Sequence, residues 1–353
     1  LNDSSFNEQV KALQPHIVLF DRFITEEQFG WRVKEVCQDA LCILDTIDLH
    51  CLRNERHLAI KQNLVFKFED VLNNELALRE IASIYRCDIS LMVSEVEMDI
   101  LENIFKLDKE LLHYCAFMFE PISEDTSGAW PDFEQRKHFI SIGNFLHEPN
   151  WDAVLYLKQN IWPGIRSQLP KAELHIYGAY TTQKVLQLHN EKEGFIIKGR
   201  AENLSETMTN ARLCLAPLRF GAGIKGKLAD SMLYGTPNVS TAIGAESMHG
   251  QFDWNGFICD APEDFIQQSV KLYSDKALWL AAQKNGINII QNYFEPIKSA
   301  KSLLAKIEGD YENLKSKRQK NFLGKLLQQQ QFASNKYMSL WIESKNNNVA
   351  VKD

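Results

Sequence analysis

The chain has 353 residues, enough for two domains of ordinary size. Hydrophobic residues make up 45% and charged residues 24%, which excludes a disordered or fibrous chain. Thirty-nine basic against 46 acidic side chains give a net charge of −7, which excludes bulk attraction to nucleic acid or anionic lipid and leaves room only for a local basic site.

The chain opens on Leu1–Ser5 with neither a starting Met nor a signal-peptide core, and reads as a fragment whose true beginning lies upstream. Residues 15–23 predict a strand, 26–37 a helix and 41–45 a second strand. A charged amphipathic stretch over 58–85 predicts one long helix, leading to a third strand at 88–93. Ser94 stands at the N-cap of a helix running on from Glu95, with Glu97 at the capping-box position. Apolar runs alternating with helical patterns point to a parallel sheet. Residues 1–122 therefore predict a Rossmann-like domain, incomplete at its start. Residues 121–137 hold two prolines, a glycine and six charged side chains, which places the linker at 123–137. A second α/β series fills 138–297, with strands at 138–142, 173–177, 195–198, 213–217 and 238–241 and a helix at 151–161. Beyond Pro296 a Lys- and Gln-rich helix is predicted over 298–331, and an apolar cluster at 337–342 precedes a polar tail. This helical extension, 298–353, reads either as a terminal helix docked on the domains or as a basic amphipathic contact with a membrane surface.

Seven cysteines show no CxxC spacing and mostly sit inside apolar runs. They read as reduced thiols of a cytoplasmic protein rather than as metal ligands or a disulfide framework. No apolar run approaches the roughly 18 residues that a membrane span needs. The longest, 111–119, carries His113.

The stretch 213–248, LCLAPLRFGAGIKGKLADSMLYGTPNVSTAIGAESM, carries the chemistry. An apolar strand ends at Pro217, and a loop holding Gly221, Gly223 and Gly226 follows. A helix then opens near Lys227 and closes at Gly235, with Pro237 just beyond. A strand end feeding a glycine-rich loop and a helix N-terminus suits phosphate: free N–H groups and the positive dipole end face the anion, and glycine lets it come close. Arg219, Lys225 and Lys227 lie in or beside that loop. Each charge-assisted contact to a phosphate oxygen is worth about 1.5–3 kcal/mol. Asp230, one turn after Lys227, is either half of a surface Lys–Asp pair or a carboxylate receiving ribose hydroxyls. Glu246 follows the next strand and points from the same sheet edge. GAGIKG has formal GxGxxG spacing, with Glu246 twenty residues beyond Gly226, but a dinucleotide fingerprint belongs after a domain's first strand, and this loop follows a late one. No DxD, HExxH, GxSxG or Walker lysine loop is present, and no metal site is predicted. In the first half, LCILDTIDLH reads as a strand whose end carries Asp45, Asp48 and His50. His50 suits proton transfer, or these residues simply cap the next helix. Asp21 and Arg22 form a second candidate pair.

Five segments resemble the retaining GT-B glycosyltransferases of family 4, the group 1 transferases: HFISIGN (138–144), PKAELHIYG (170–178), GFIIKGR (194–200), LADSMLYGTPNV (228–239) and GAE (244–246). The resemblance is strong over about 137–250 and weaker over 15–110. It implies a GT-B-like α/β fold, two Rossmann-type domains facing a cleft, the first of them truncated. It also implies transfer of a sugar from a nucleotide-diphosphate sugar to an acceptor hydroxyl, with retention at the anomeric carbon, no metal and no cofactor beyond that co-substrate. The acceptor would be a glycan, a lipid-linked group or a protein, with no role for nucleic acid, at a cytoplasmic or peripheral inner-membrane location. Carried over by position, Lys227 with Lys225 or Arg219 meets the diphosphate, Asp230 holds the ribose, and Gly199 and Arg200 border the base. Gly143 and Asn144 let the phosphates or the acceptor approach, Gly223 and Glu246 complete the donor site, and His50 with Asp48 serves the acceptor. The family's glutamate pair is altered: its second member is Asp230, and eight positions earlier stands Ala222. That departure, with the shortened first domain, raises a catalytically silent nucleotide-sugar-binding subunit as the alternative, and a nucleotide-sugar epimerase or phosphorylase on the same scaffold as a further one.

Overall fold

Apolar runs spaced by helical patterns build two parallel sheets, one in each of two units. A computed structural model of the chain describes residues 5–350, without the side chains of 330–333 and 346–350. The opening residues 1–4 and the last three of the polar tail lie outside it.

The first unit draws on 1–55, 66–116 and 300–353. Its strands β1 (Ile17–Asp21), β2 (Leu41–Asp45), β3 (Ile89–Met92) and β4 (Leu112–Tyr114) run parallel in that order. Strands β2 and β3 are buried almost throughout, as their unbroken apolar runs require in a covered parallel sheet. Three-residue β4 was too short to announce itself in the sequence.

Two expected helices are broken. The stretch 58–85 forms His50–Gln62, a 3₁₀ turn Phe68–Asn73 and Glu75–Arg86. Asn63 takes a left-handed φ of 56°, which stops the first helix, and the Asn74 side chain caps the next by accepting the Leu76 N–H at 2.9 Å. The stretch 298–331 likewise divides into Pro296–Glu312, Leu314–Lys320 and the start of Phe322–Ala350. Asn321 makes the second break: its side chain accepts the Gly324 N–H at 2.8 Å and donates to the Tyr85 carbonyl at 2.8 Å. In each case an asparagine inside an amphipathic pattern was the stop. The last of these helices, Phe322–Ala350, packs on the helices Arg22–Val36 and Glu75–Arg86 of the first unit, while Leu303, Ile307 and Leu314 of the other two pack against β2 and β3. At 337–342, Tyr337, Met338, Leu340 and Trp341 remain exposed.

The second unit comprises 56–65 and 117–299. Strands β5 (His138–Ile142), β6 (Leu174–Tyr177), β7 (Phe195–Gly199), β8 (Ala211–Ala216), β9 (Asn238–Ser240) and β10 (Gly256–Ile258) form one parallel sheet in the order β10-β9-β8-β5-β6-β7. The helix expected at 151–161 starts earlier, at Glu148–Tyr156, and continues through a π turn, Leu157–Ile161, into Trp162–Gln168. That turn leads into Pro163, whose missing N–H an α-helix interior would not tolerate. Phe139, Trp162, Leu174, Leu213, Phe265 and Trp279 centre the core.

Candidate functional site

The chain leaves β5 toward β6 on one side, while β8 lies on the other, so the strand order reverses between β5 and β8. Open parallel sheets bind ligands outside the carboxyl ends of the strands at such a point. A cavity of about 340 Å³ opens there. The loop and helix after β5 contribute Gly143, His147 and Asn150, and the loop and helix after β8 contribute Phe220 to Ala222, Lys225 to Lys227 and Asp230.

The helix after β8, Gly226–Leu233, starts without a side-chain cap. It ends as the sequence requires: Gly235 adopts φ 62°, its N–H bonds to the Met232 carbonyl at 3.1 Å, and the Thr236 N–H reaches the Ser231 carbonyl at 2.7 Å. A Cβ on Gly235 would lie 2.3 Å from Trp130.

Lys227, one residue into this helix, is enclosed by protein, and burial lowers its pKa to about 8. Its ammonium donates to Asn150 Oδ1 at 2.6 Å and makes no ion pair among the described residues. The Lys–Asp pair that the spacing left open does not form. Asn150 is itself held: its Nδ2 donates to the Asn144 carbonyl at 3.0 Å, while Asn144 Oδ1 accepts the Leu146 N–H at 2.8 Å. Asn144 thus stands behind Asn150 rather than in the cavity wall. Gly143 is required by space, since a Cβ there would lie 2.7 Å from the Asn150 amide and 3.0 Å from Lys227 Nζ. Lys225, also buried, donates to the Gly223 carbonyl at 2.7 Å. Burial raises the Asp230 carboxyl to about 6, with no cation among the causes of its shift. One wall therefore carries two desolvated ammonium groups and an uncompensated carboxylate. Such a wall suits a ligand with an anionic segment beside hydroxyl donors.

Gly143, Lys225, Lys227 and Asp230 are brought together as the sequence predicts. Others are not. Arg219 turns aside to Asp152, with Nε 2.9 Å from Oδ2, and its guanidinium lies over the Tyr156 ring. Gly199 ends the edge strand β7 with φ 76°, Arg200 beside it is exposed, and neither lines the cavity. Gly223 supports Lys225 through its carbonyl. Glu246 accepts both arms of the buried Arg56 guanidinium, at 2.9 and 2.7 Å, and Arg56 also donates to the Gly221 carbonyl at 2.8 Å. Its neighbour His57 stacks flat on Phe220, with centroids 4.2 Å apart. Sequence reasoning missed Asn150, Phe220, Arg56 and His57. HEPNW and LRNERH match no motif, and only tertiary proximity to the glycine loop gives these residues a role.

In the first unit, His50 is not at the strand end but at the first position of the helix His50–Gln62. That helix start is already occupied by carboxylates: Glu80 accepts the N–H groups of His50 and Cys51, both at 2.7 Å, and Glu97 accepts that of Leu49 at 3.0 Å. Ser94 does cap the helix at Glu95–Asp99. His50 Nε2 lies 3.4 Å from Asp48 Oδ1, and Asp48 also pairs with Arg53. Burial, reinforced by the charges of Arg22 and Arg79, lowers the His50 pKa, so the ring is neutral near pH 7 and can accept a proton. Asp21 and Arg22 bond to each other at 3.0 Å on the surface.

Residues 136–275 match the family model of the group 1 glycosyl transferases. Among solved structures the chain is similar to S. aureus TarM in complex with fondaparinux, α-GlcNAc-glycerol and UDP, at 12% identity over 85% of this chain and 57% of that one, with a TM-score of 0.64. It is similar to the pneumococcal O-GlcNAc transferase GtfA in complex with UDP and GlcNAc, at 15% identity over 86% and 59%, TM-score 0.59. It is also similar to sucrose-phosphate synthase from Thermosynechococcus elongatus, at 14% identity over 88% and 77%, TM-score 0.62. The chain spans less than two thirds of the length of the first two. Comparison with curated protein sequences gives no match. No helix among the described residues is long and apolar enough to cross a membrane.

Proposed function

We propose that this chain, whose residues 136–275 form a group 1 glycosyl transferase domain and whose two parallel sheets have the GT-B fold, transfers a sugar from a nucleotide-diphosphate sugar to an acceptor hydroxyl. The observation that carries the reading is Lys227, an ammonium enclosed by protein at the cavity wall, bonded to a neutral amide and without an ion pair among the described residues. A cation held inside at such cost is a preformed site for an anion, and its attraction for that anion is strengthened by the same lack of water.

As the bond from the anomeric carbon to the diphosphate oxygen breaks, negative charge grows on that oxygen. Lys227, Lys225 and the first N–H groups of the helix Gly226–Leu233 stabilise this charge more in the transition state than in the bound donor. That neutralisation is assigned to these groups, without a metal. Asp230 accepts the ribose hydroxyls. Arg56 and Glu246 fix the glycine loop rather than touch the donor, and Arg219, Gly199 and Arg200 are assigned no donor contact. On the acceptor side His50 takes the hydroxyl proton, with Asp48 orienting its ring. Retention of configuration belongs to the reading through the family resemblance. Glycan, lipid-linked and protein acceptors fit it equally, and seven free thiols suit a reducing cytoplasm, with or without contact to the inner membrane surface.

Ala222 favours a second reading. It lines the cavity where the family's first glutamate addresses the sugar, so a silent nucleotide-sugar-binding subunit would look much like this. Calorimetry and donor turnover with a panel of nucleotide sugars separate the two, starting with UDP-sugars because UDP occupies TarM and GtfA. Binding with release of nucleoside diphosphate supports the transferase. Saturable binding without turnover on any acceptor supports the silent subunit, and no binding at all refutes both.

A further inference from the structure

Part of the C-terminal segment carries charge of one sign only. From Leu314 to Ser339 there are six cationic side chains, Lys315, Lys317, Arg318, Lys320, Lys325 and Lys336, and no carboxylate, in a chain of net charge −7. Chance placement on a solvated helix would mix signs. Within the first unit this segment packs against the helix Arg22–Val36, and between them lies a cavity of about 770 Å³, more than twice the volume of the one described above.

One donor on its floor is unsatisfied. The Trp31 indole N–H and the Lys34 ammonium both line the cavity with their nitrogens buried; the indole N–H has no hydrogen-bond acceptor among the described residues, while Lys34 meets the Cys42 thiol. A buried donor left without an acceptor costs about 1–3 kcal/mol. An orphaned indole N–H beside a buried ammonium points to a ligand that supplies acceptors. The nearest carboxylate, Asp88, lies 3.7 Å from Lys34 but gives both oxygens to Arg318, at 2.7 and 2.6 Å. Around the rim, Lys315 and Lys325 make no ion pair among the described residues, and Lys336 is matched by Glu35 at 2.8 Å. Cations therefore outnumber carboxylates on the lining.

We propose that this cavity is a second anion site, distinct from the one at Lys227, and that it takes a ligand bearing phosphate groups. Dense charge with several acceptor oxygens matches donors converging from floor and rim, as a single carboxylate would not. The phosphate is carried either on a soluble molecule or on a lipid headgroup, and the two sources are separable. The proposal does not rest on the transferase reading, because none of its residues lies at the other cavity.

The test titrates tripolyphosphate into Lys227→Met protein, where the first site has lost its central cation. Saturable binding is expected. It should weaken about tenfold or more in Lys227→Met with Lys315→Gln and Lys325→Gln added, since two charge-assisted contacts are lost. Trp31→Phe in the same background should weaken it several-fold by removing one donor. Unchanged thermal midpoints for the Lys315→Gln/Lys325→Gln pair, both on the surface, show that the fold is intact. Sedimentation with phosphatidylglycerol vesicles is the parallel arm. Vesicle binding that needs Lys315 and Lys325 supports the site with a lipid source, and tripolyphosphate binding alone supports it with a soluble one. Binding to neither, or binding that ignores Lys315, Lys325 and Trp31, overturns the proposal.

Discussion

Lys227→Met separates what the second unit gains in function from what it loses in stability. An ordinary lysine titrates near 10.5, and burial brings Lys227 to about 8, so keeping it charged at pH 7 costs the folded chain on the order of 3 kcal/mol. Methionine fills nearly the same length of cavity without the charge. It leaves Asn150 Oδ1 without its donor at 2.6 Å, which returns about 1–2 kcal/mol of that gain. The variant should therefore be more stable than the wild type by about 1–2 kcal/mol without donor, raising the unfolding midpoint by about 2–6 °C. Between pH 8 and 10.5 the folded chain has released a Lys227 proton that the unfolded chain still holds. Wild-type stability should accordingly rise with pH through this window, and the variant should lack that rise. Donor turnover should fall by about 10²–10³, as for other lost transition-state charge partners. Calorimetric scans across pH, with donor turnover measured on the same preparations, read both quantities. A variant that is less stable than the wild type and equally active would refute the reasoning at both ends.

Three further outcomes are expected. Asp230, raised to about 6 by burial, accepts hydroxyls best when ionised. Nucleoside diphosphate affinity should decline as pH drops from 7 to 5, and Asp230→Asn should weaken it about tenfold at pH 7 and flatten that slope, as pH-resolved calorimetry would show. Gly143→Ala places a Cβ 2.7 Å from the Asn150 amide and 3.0 Å from Lys227 Nζ, so donor KM should rise about tenfold with little change in the unfolding midpoint. His50→Ala should leave donor affinity within about twofold and slow transfer to acceptor by about 10²-fold or more; loss of donor affinity instead would remove His50 from the acceptor side.

Local patterning carried much of this protein. Strands such as β2, β3 and β8 were visible as apolar runs, because a strand covered on both faces must be apolar along its length whatever its neighbours are. The glycine loop, the Schellman end at Gly235 and the lysines Lys225 and Lys227 at the start of Gly226–Leu233 were visible too, since each follows from backbone chemistry within a few residues. Helix breaks at Asn63 and Asn321 were missed because asparagine's preference for stopping a helix is weak beside an amphipathic pattern, and its side chain caps only when tertiary packing supplies the geometry.

What only the folded chain decided is which charges meet. Arg219 and Lys227 stand eight residues apart and looked equivalent, yet one is drawn to Asp152 and the other to Asn150 beside a cavity. Glu246 looked like a ligand contact until Arg56, 190 residues earlier, took both its oxygens. Hydrophobic periodicity is a property of neighbours along the chain, whereas the partner of a buried charge is set by which loops the sheet order brings together. The reversal between β5 and β8 brings Asn150 to Lys227, and no local pattern encodes it.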